Sequence, residues 1–235
     1  GPEGGSHQSQ ITPSIGIELA DLASYEPCFG QELEWILLSA LENLRTRKES
    51  TYLRLTTMPV NQELFNPPTD PQAADKLRRQ VIAGAYRLIH REHDPGYKPD
   101  SNVIHIFASG AVVPEAIKAS QHMLDEGIYA NIINVTGPGP LYRAFQESTN
   151  ISNSPQKTKQ FLSDIIHPDE RNAPIVTVVD GHPHSLAWVG AALATKTIPL
   201  GATAYGQSGD TEDLYREYKI DSTSIMSAGY DALGI

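Results

Sequence analysis

Apolar residues between positions 29 and 47 recur at intervals of three and four, a spacing that predicts an amphipathic helix. The stripe that we expect to face the core consists of Leu33, Ile36, Leu37, Ala40, Leu41 and Leu44. Glu26 and Pro27 come just before it and suit a helix start. The β-branched and aromatic run at 51–57 then predicts a strand, which makes an α-then-β unit.

Helical and strand patterns alternate after residue 100. We predict strands at 102–108, 129–135, 174–180 and 197–200, and helices at 114–126, 141–146, 155–166, 185–194 and 210–218. The run at 174–180 is almost continuously apolar, which is typical of a strand covered on both faces. The alternation predicts an α/β fold with a mainly parallel sheet and helices on both faces.

Prolines interrupt the pattern between residues 58 and 76, where they deny hydrogen bonds to helix and sheet alike. We interpret this segment as an interdomain linker, followed by an entering strand at 81–89. The expected division is a first domain piece at 1–60, a linker at 61–77 and a second domain at 78–235.

The net charge of −10 argues against binding to nucleic acid or to anionic lipid, since both need clustered Lys and Arg. No apolar run reaches the roughly 20 residues that span a bilayer. Cys28 is the one cysteine, so the chain forms no internal disulfide, which agrees with a cytoplasmic protein.

Several polar groups deserve a chemical interpretation. His7 lies in a glycine-rich turn, where an imidazole of near-neutral pKa could transfer a proton or remain a plain surface residue. The segment from Asp180 to His184, which includes His182, follows a buried strand; it could bind a metal, but we favour a turn or domain contact. The sequence around His90 and His93 favours a solvated turn over a metal site.

Two further motifs favour structural roles. Residues 137–140, Gly-Pro-Gly-Pro, predict a rigid loop between strand and helix, because the prolines remove amide donors that a phosphate nest needs. Cys28 precedes a helix, where a thiolate can be stabilised, but without a base partner we expect a small buried residue.

Two blocks carry a family resemblance. The opening Gly-Pro-Glu-Gly-Gly-Ser-His-Gln-Ser, with Ser24-Tyr-Glu-Pro-Cys28, resembles the cofactor-facing loop of the pyrimidine domain in transketolase-like thiamine diphosphate enzymes. The segment from Pro199 to Asp221 resembles the end of their C-terminal domain. The similarity is greatest to the decarboxylating component of homodimeric pyruvate dehydrogenases. Residues 1–60 would then end a pyrimidine-binding domain, and 78–235 would be the transketolase-type C-terminal domain.

The resemblance implies a thiamine diphosphate site at Gly5, Ser6, His7 and Gln8, with His7 the catalytic residue that contacts the substrate over the thiazolium. It also implies Mg²⁺ and a homodimer. The family's Gly-Asp-Gly…Asn segment for diphosphate and magnesium is not in this sequence, nor is the glutamate that forms the ylid. No methionine precedes Met58. We therefore expect the C-terminal third of a longer enzyme, inactive by itself.

The reaction is inferred from one dipeptide. Transketolases typically have Ser-Arg where this chain has Thr56-Thr57, and that arginine binds a sugar phosphate; pyruvate dehydrogenase-type proteins have Thr-Thr. We expect Arg54 on the opposite sheet face from Thr57. The resemblance thus implies decarboxylation of a 2-oxo acid, with pyruvate expected, and acyl transfer to a lipoyl acyltransferase. The alternatives are a transketolase acting on sugar phosphates and a non-catalytic dimerisation or assembly domain.

Overall fold

The computed structural model describes residues 5, 8–19, 21–149 and 165–235, in which two sheets occur, one of two strands and one of five. The strands are β1 (Leu22–Tyr25), β2 (Ser50–Leu53), β3 (Tyr86–Ile89), β4 (Val103–Ser109), β5 (Tyr129–Asn134), β6 (Ile175–Val179) and β7 (Thr197–Leu200). The helices are α1 (Thr12–Glu18), α2 (Gly30–Arg47), α3 (Pro71–Ala83), α4 (Val113–Asp125), α5 (Pro138–Thr149), α6 (His184–Ala187), α7 (Val189–Leu193), α8 (Thr211–Glu217) and α9 (Ser222–Leu233). None of the helices in these ranges combines the length and apolar composition that a membrane crossing needs.

The five-stranded sheet confirms the predicted α/β fold. Its strand order is β3-β5-β4-β6-β7, and every neighbouring pair is parallel except β3 and β5. Ile104 and Ile106 of β4 join the core with α4 and α9, while Phe107 joins the opposite core with α5, α6 and α7. Because successive side chains of a strand alternate, one strand serves both layers of helices.

The smaller sheet consists of β1 and β2, which pair in parallel from Leu22 with Ser50 to Tyr25 with Leu53. Helix α2 connects them and, at Gly30–Arg47, agrees within one residue with the helix predicted at 29–47. The expected core-facing stripe is wrong. Ile36 is fully buried, whereas four leucines of α2 are 43–60% exposed: Leu37, Leu38, Leu41 and Leu44.

The proline-rich segment is shorter than predicted, because α3 begins at Pro71 and continues to Ala83. The predicted strand at 81–89 is therefore wrong in its first half, and only β3 is extended. The Asp70 side chain caps α3 by accepting from Ala73 N at 2.8 Å, and Gly84 ends it in the left-handed region at φ 114°. Proline is favoured in a helix's first turn, so Pro71 starts the helix instead of excluding it.

Other elements differ from the sequence patterns in detail. Residues 137–140 are largely the first turn of α5 instead of a loop. The predicted helix at 185–194 is two short helices separated at Trp188. The predicted helix at 155–166 lies almost entirely outside the described residues. The domain boundaries at 60 and 78 remain predictions.

One buried carboxylate joins the two sheets. Glu32 on α2 is 0% exposed, and its Oε2 accepts from the backbone amides of Cys28 at 2.8 Å and Phe29 at 2.9 Å. Its Oε1 accepts from the Tyr86 hydroxyl of β3 at 2.6 Å and from Asn134 Nδ2 of β5 at 2.7 Å. Burial raises the pKa of Glu32 to about 6, although all these donors favour the charged form.

We predict that Tyr86→Phe lowers the free energy of unfolding by about 1.5–3 kcal/mol at pH 7.5, because it removes a donor from a buried carboxylate. The pKa of Glu32 lies above its ordinary 4.5, so folded protein retains a proton and Glu32's contribution to stability falls as pH rises through 4.5–6. Without the Tyr86 hydroxyl, which lowers the pKa of Glu32, that pKa is higher still. The fall in stability then continues to higher pH. The deficit should therefore be smaller at pH 5 in urea titrations.

The control is Tyr230→Phe, which removes a solvent-exposed hydrogen bond to Glu126 at 2.7 Å. We expect it to change stability by less than about 0.5 kcal/mol at either pH. A Tyr86→Phe deficit that is the same at pH 5 and pH 7.5 would contradict the role assigned to the Glu32 carboxylate.

Candidate functional site

A cleft of about 340 Å³ lies where strands of both sheets end. Glu26 follows β1, Arg54 follows β2, Gly110 follows β4 and Asp180 follows β6, and all four line the cleft. Ligands of parallel α/β sheets bind beyond the carboxyl ends of strands. The topology therefore makes this cleft the principal candidate for a site.

Three of the residues that line the cleft form an ionic cluster. Arg54 Nη1 contacts Glu26 Oε1, and Arg54 Nη2 donates to the Asp180 carbonyl at 2.7 Å and lies 3.8 Å from Asp180 Oδ2. Burial raises the pKa of Glu26 to about 7, opposed by the nearby charge of Arg54. Glu26 N also donates to Thr136 O at 2.7 Å, which ties the end of β1 to the larger sheet.

Arg54 faces the same cleft as Thr57, so the expectation that they lie on opposite sheet faces is wrong. The strand β2 ends at Leu53, and the last bond to β1 is that of Arg54 N with Tyr25 O at 2.9 Å. Beyond it the backbone leaves the sheet, and the alternation of faces no longer applies. The Thr56 hydroxyl accepts from Met58 N at 3.0 Å and turns the chain along the cleft.

The cleft is also lined by neutral hydrogen-bonding residues. They are Ser9, Gln10, Thr12 and Thr57. Gln10 Nε2 is buried and has no hydrogen-bond partner among the described residues. A buried amide donor without a partner is costly, so Gln10 is a locally unfavourable feature beside the cleft.

The structure describes two of the four residues predicted to bind the cofactor. Gln8 lines the cleft, its amide N donates to Gly5 O at 3.2 Å, and its Nε2 donates to Gln207 O at 3.1 Å. Ser6 and His7 lie outside the described residues. The fold thus brings Gln8, Thr57 and Asp180 to one cleft, and the roles of Gly5, Ser6, His7 and Gln8 stay predictions.

The other candidate groups lie elsewhere. His182 and His184 touch through their Nδ1 atoms at 2.6 Å but do not line the cleft. Within the described ranges no three His, Cys, Asp or Glu residues are grouped to hold a metal ion. His90 is exposed and contacts Arg87 O at 3.0 Å, as expected of a turn. Cys28 is buried, which raises the pKa of its thiol and confirms the structural interpretation.

Sequence reasoning did not identify Glu26, Arg54 and Gln10 as site residues. Glu26 was interpreted as a helix-start charge and Arg54 as part of a strand. Their position just after strand ends was the available signal, because carboxyl ends of parallel strands meet at one edge. Gln10 had no such signal, since its place depends on how the segment before α1 contacts the larger sheet.

We predict that Arg54→Leu lowers the free energy of unfolding by about 3–5 kcal/mol at pH 8, because it leaves the Glu26 carboxylate buried without its cation. The raised pKa of Glu26, about 7, means that the acid is neutral below that pH. The loss should therefore shrink at pH 5.5. Adding Glu26→Gln should restore most of the stability in the double variant.

Arg45→Leu provides the matched control in the same urea titrations. Arg45 pairs with Glu42 at 2.7 Å on the exposed side of α2, so its removal should cost less than about 1 kcal/mol. Equal losses for Arg54→Leu and Arg45→Leu would contradict the importance of the buried pair.

Several solved structures with a similar fold are transketolases. A transketolase variant from Pichia stipitis matches with a TM-score of 0.72 at 14% identity, covering 100% of this chain and 28% of that chain. The transketolase from Leishmania mexicana matches with a TM-score of 0.68 at 16% identity, with the same coverage. A split-gene transketolase, described as an inactive β4 tetramer, matches with a TM-score of 0.59 at 15% identity, covering 98% of this chain and 64% of that one.

These likenesses establish a shared fold, and the chain spans 28% of the length of the first two transketolases. Comparison with curated protein sequences gave no significant match. A sequence profile of the family described as the transketolase-like TK C-terminal domain matches residues 84–221, which is more than half of the chain. The matched range includes β3 to β7 and the segment after β6 that lines the cleft. The chain therefore belongs to the transketolase-like family, through its TK C-terminal domain.

Proposed function

We propose that this chain is the C-terminal portion of a thiamine diphosphate-dependent enzyme that decarboxylates a 2-oxo acid, with pyruvate the expected substrate. One observation carries the proposal. Among the described residues that line the cleft, Arg54 is the single cation, and it is bound to Glu26 and Asp180. The cleft therefore offers hydroxyl and amide donors in place of a free guanidinium.

The charge of the substrate distinguishes the candidate reactions. A sugar phosphate carries a dianion, which is recognised best by a bidentate arginine. A 2-oxo acid carries a single carboxylate and a keto oxygen, both of which accept hydrogen bonds from neutral groups. The hydroxyls of Ser9 and Thr57, two residues that line the cleft, are donors of that kind. They support a monoanionic substrate without a phosphate.

Thiamine diphosphate, when bound in the complete enzyme, supplies the carbon nucleophile and the electron sink for decarboxylation. From this chain, Gly5, Ser6, His7 and Gln8 would contact the cofactor. His7 would donate a hydrogen bond to the substrate carbonyl or carboxylate and orient it. Ligands for the diphosphate and Mg²⁺ would come from a part of the enzyme outside this sequence. The complete enzyme would be a homodimer and would pass its acyl group to a lipoyl acyltransferase.

Transketolase activity on sugar phosphates is the second candidate. It is favoured by the comparisons, because the similar solved structures named above are transketolases. With 14–16% identity they support the fold more than the substrate. In that reaction a phosphate group would need a cation from outside the described cleft. A non-catalytic assembly domain remains the third candidate, and it would show neither activity.

We predict that the complete enzyme, with thiamine diphosphate and Mg²⁺, reduces an artificial electron acceptor when given pyruvate and does not turn over sugar phosphates. His7→Ala should lower kcat by about 10²–10⁴-fold, the usual contribution of a general acid or base. His122→Ala, a histidine exposed on α4, is the matched control and should keep kcat within about twofold. Turnover of sugar phosphates without any reaction of pyruvate would contradict this proposal and support transketolase activity instead.

The isolated 235-residue chain should not catalyse either reaction, because it has neither the diphosphate-binding segment nor the ylid-forming glutamate. The split-gene relative described as an inactive β4 tetramer supports this expectation. The measurement is pyruvate and sugar phosphate turnover by the purified chain with added cofactor and Mg²⁺. Adding the remaining part of the enzyme as a separate chain should restore activity; turnover without it would refute the prediction.

A further inference from the structure

A loop of the TK C-terminal domain packs directly against the segment that carries the predicted cofactor-binding residues. We call residues 201–210 the clamp loop, and Gly5 together with residues 8–10 the N-terminal segment. Gln8 Nε2 donates to Gln207 O at 3.1 Å, although the two residues are far apart in sequence. The contact uses a backbone carbonyl of the clamp loop, so its position depends on the loop's conformation.

Glycines allow the two backbones to approach. A Cβ on Gly206 would overlap Gln8 Oε1 and lie 2.9 Å from Gly5 Cα. A Cβ on Gly5 would overlap the Gly206 carbonyl oxygen and the ring of Tyr205. Since real Cβ atoms do not come this close to backbone, any side chain at Gly206 must displace the N-terminal segment or the clamp loop.

A second contact holds the other end of the N-terminal segment. His182 N donates to Gln10 O at 3.0 Å. The adjacent Gly181 O accepts at 2.8 Å from Ala202 N, which belongs to the clamp loop. The far side of the loop is anchored by the Tyr218 hydroxyl, which donates to Tyr205 O at 3.0 Å. The N-terminal segment is therefore held at Gln8 and at Gln10 by connected parts of one domain.

We infer that the clamp loop is a positioning element for the N-terminal segment, with Gly206 its essential residue. Gly5 and Gln8, two of the residues predicted to bind the cofactor, both contact this loop. The inference rests on the proposed function for its catalytic consequence. Misplacement of a reacting group by about 1 Å can cost about 10²-fold in rate, so we expect the clamp loop to influence the reaction through the position of the N-terminal segment.

Gly206→Ala and Gly209→Ala form a matched pair for the test. Both lie in the clamp loop, but a Cβ on Gly209 meets its nearest atom, Leu214 Cδ2, at an ordinary 3.5 Å. Hydrogen exchange of the 235-residue chain gives a readout independent of activity. Amides of residues 8–12 and of His182 should exchange at least about fivefold faster in Gly206→Ala, and within about twofold of wild type in Gly209→Ala.

In the complete enzyme, Gly206→Ala should lower kcat by about 10-fold or more with the thermal midpoint unchanged, and Gly209→Ala should keep kcat within about twofold. Equal exchange and equal kcat in the two variants would overturn the inference. Wild-type enzyme inactive on every substrate would refute the proposed function, while a faster exchange in Gly206→Ala would still support the clamp. If Gly206→Ala does not fold, Gln8→Ala provides the test. It removes the bond to Gln207 O and should therefore accelerate amide hydrogen exchange in residues 203–208.

Discussion

The relative placement of the two sheets depends on the Glu32 carboxylate. Its four donors come from the start of α2, from β3 and from β5, so the full set of hydrogen bonds is made only when all three elements are in place. A buried carboxylate with a missing donor is costly in a medium of low dielectric constant. Phe29 and Tyr86 both pack on Phe65 beside it, at ring-centroid distances of 5.2 and 5.8 Å. The aromatic contacts bury apolar surface, and the hydrogen bonds to the Glu32 carboxylate fix the relative positions of these elements.

The cleft is a consequence of that placement, since its walls come from both sheets. Arg54 belongs to the smaller sheet and Asp180 to the larger, yet one guanidinium contacts both Asp180 and Glu26. A cation held in this way organises the two sheets and is no longer available to bind a dianion. The charge of Arg54 is thus already balanced before any ligand enters the cleft.

The sequence predicted the larger sheet well because β4 and β6 are buried on both faces and read as apolar runs. It predicted α2 but not its buried face, because periodicity identifies a stripe without saying what covers it. Helix α3 was missed because Pro67 and Pro68 precede it and Pro71 occupies its first position, which favoured a linker over a helix. The family resemblance pointed to Gln8 and Thr57. The pairing of Arg54 with Glu26 could not be predicted, since it joins residues from different strands that only the parallel register brings together.

The exposed leucines of α2 determine how the isolated chain behaves in solution. Leu37, Leu38, Leu41 and Leu44 form a contiguous apolar surface that water solvates poorly, and such surfaces promote association between copies. The net charge of −10 opposes association by mutual repulsion, whose range falls from about 30 Å at 0.01 M salt to about 8 Å at 0.15 M. We therefore expect the chain on its own to associate more as salt is added and to stay dispersed best at low ionic strength.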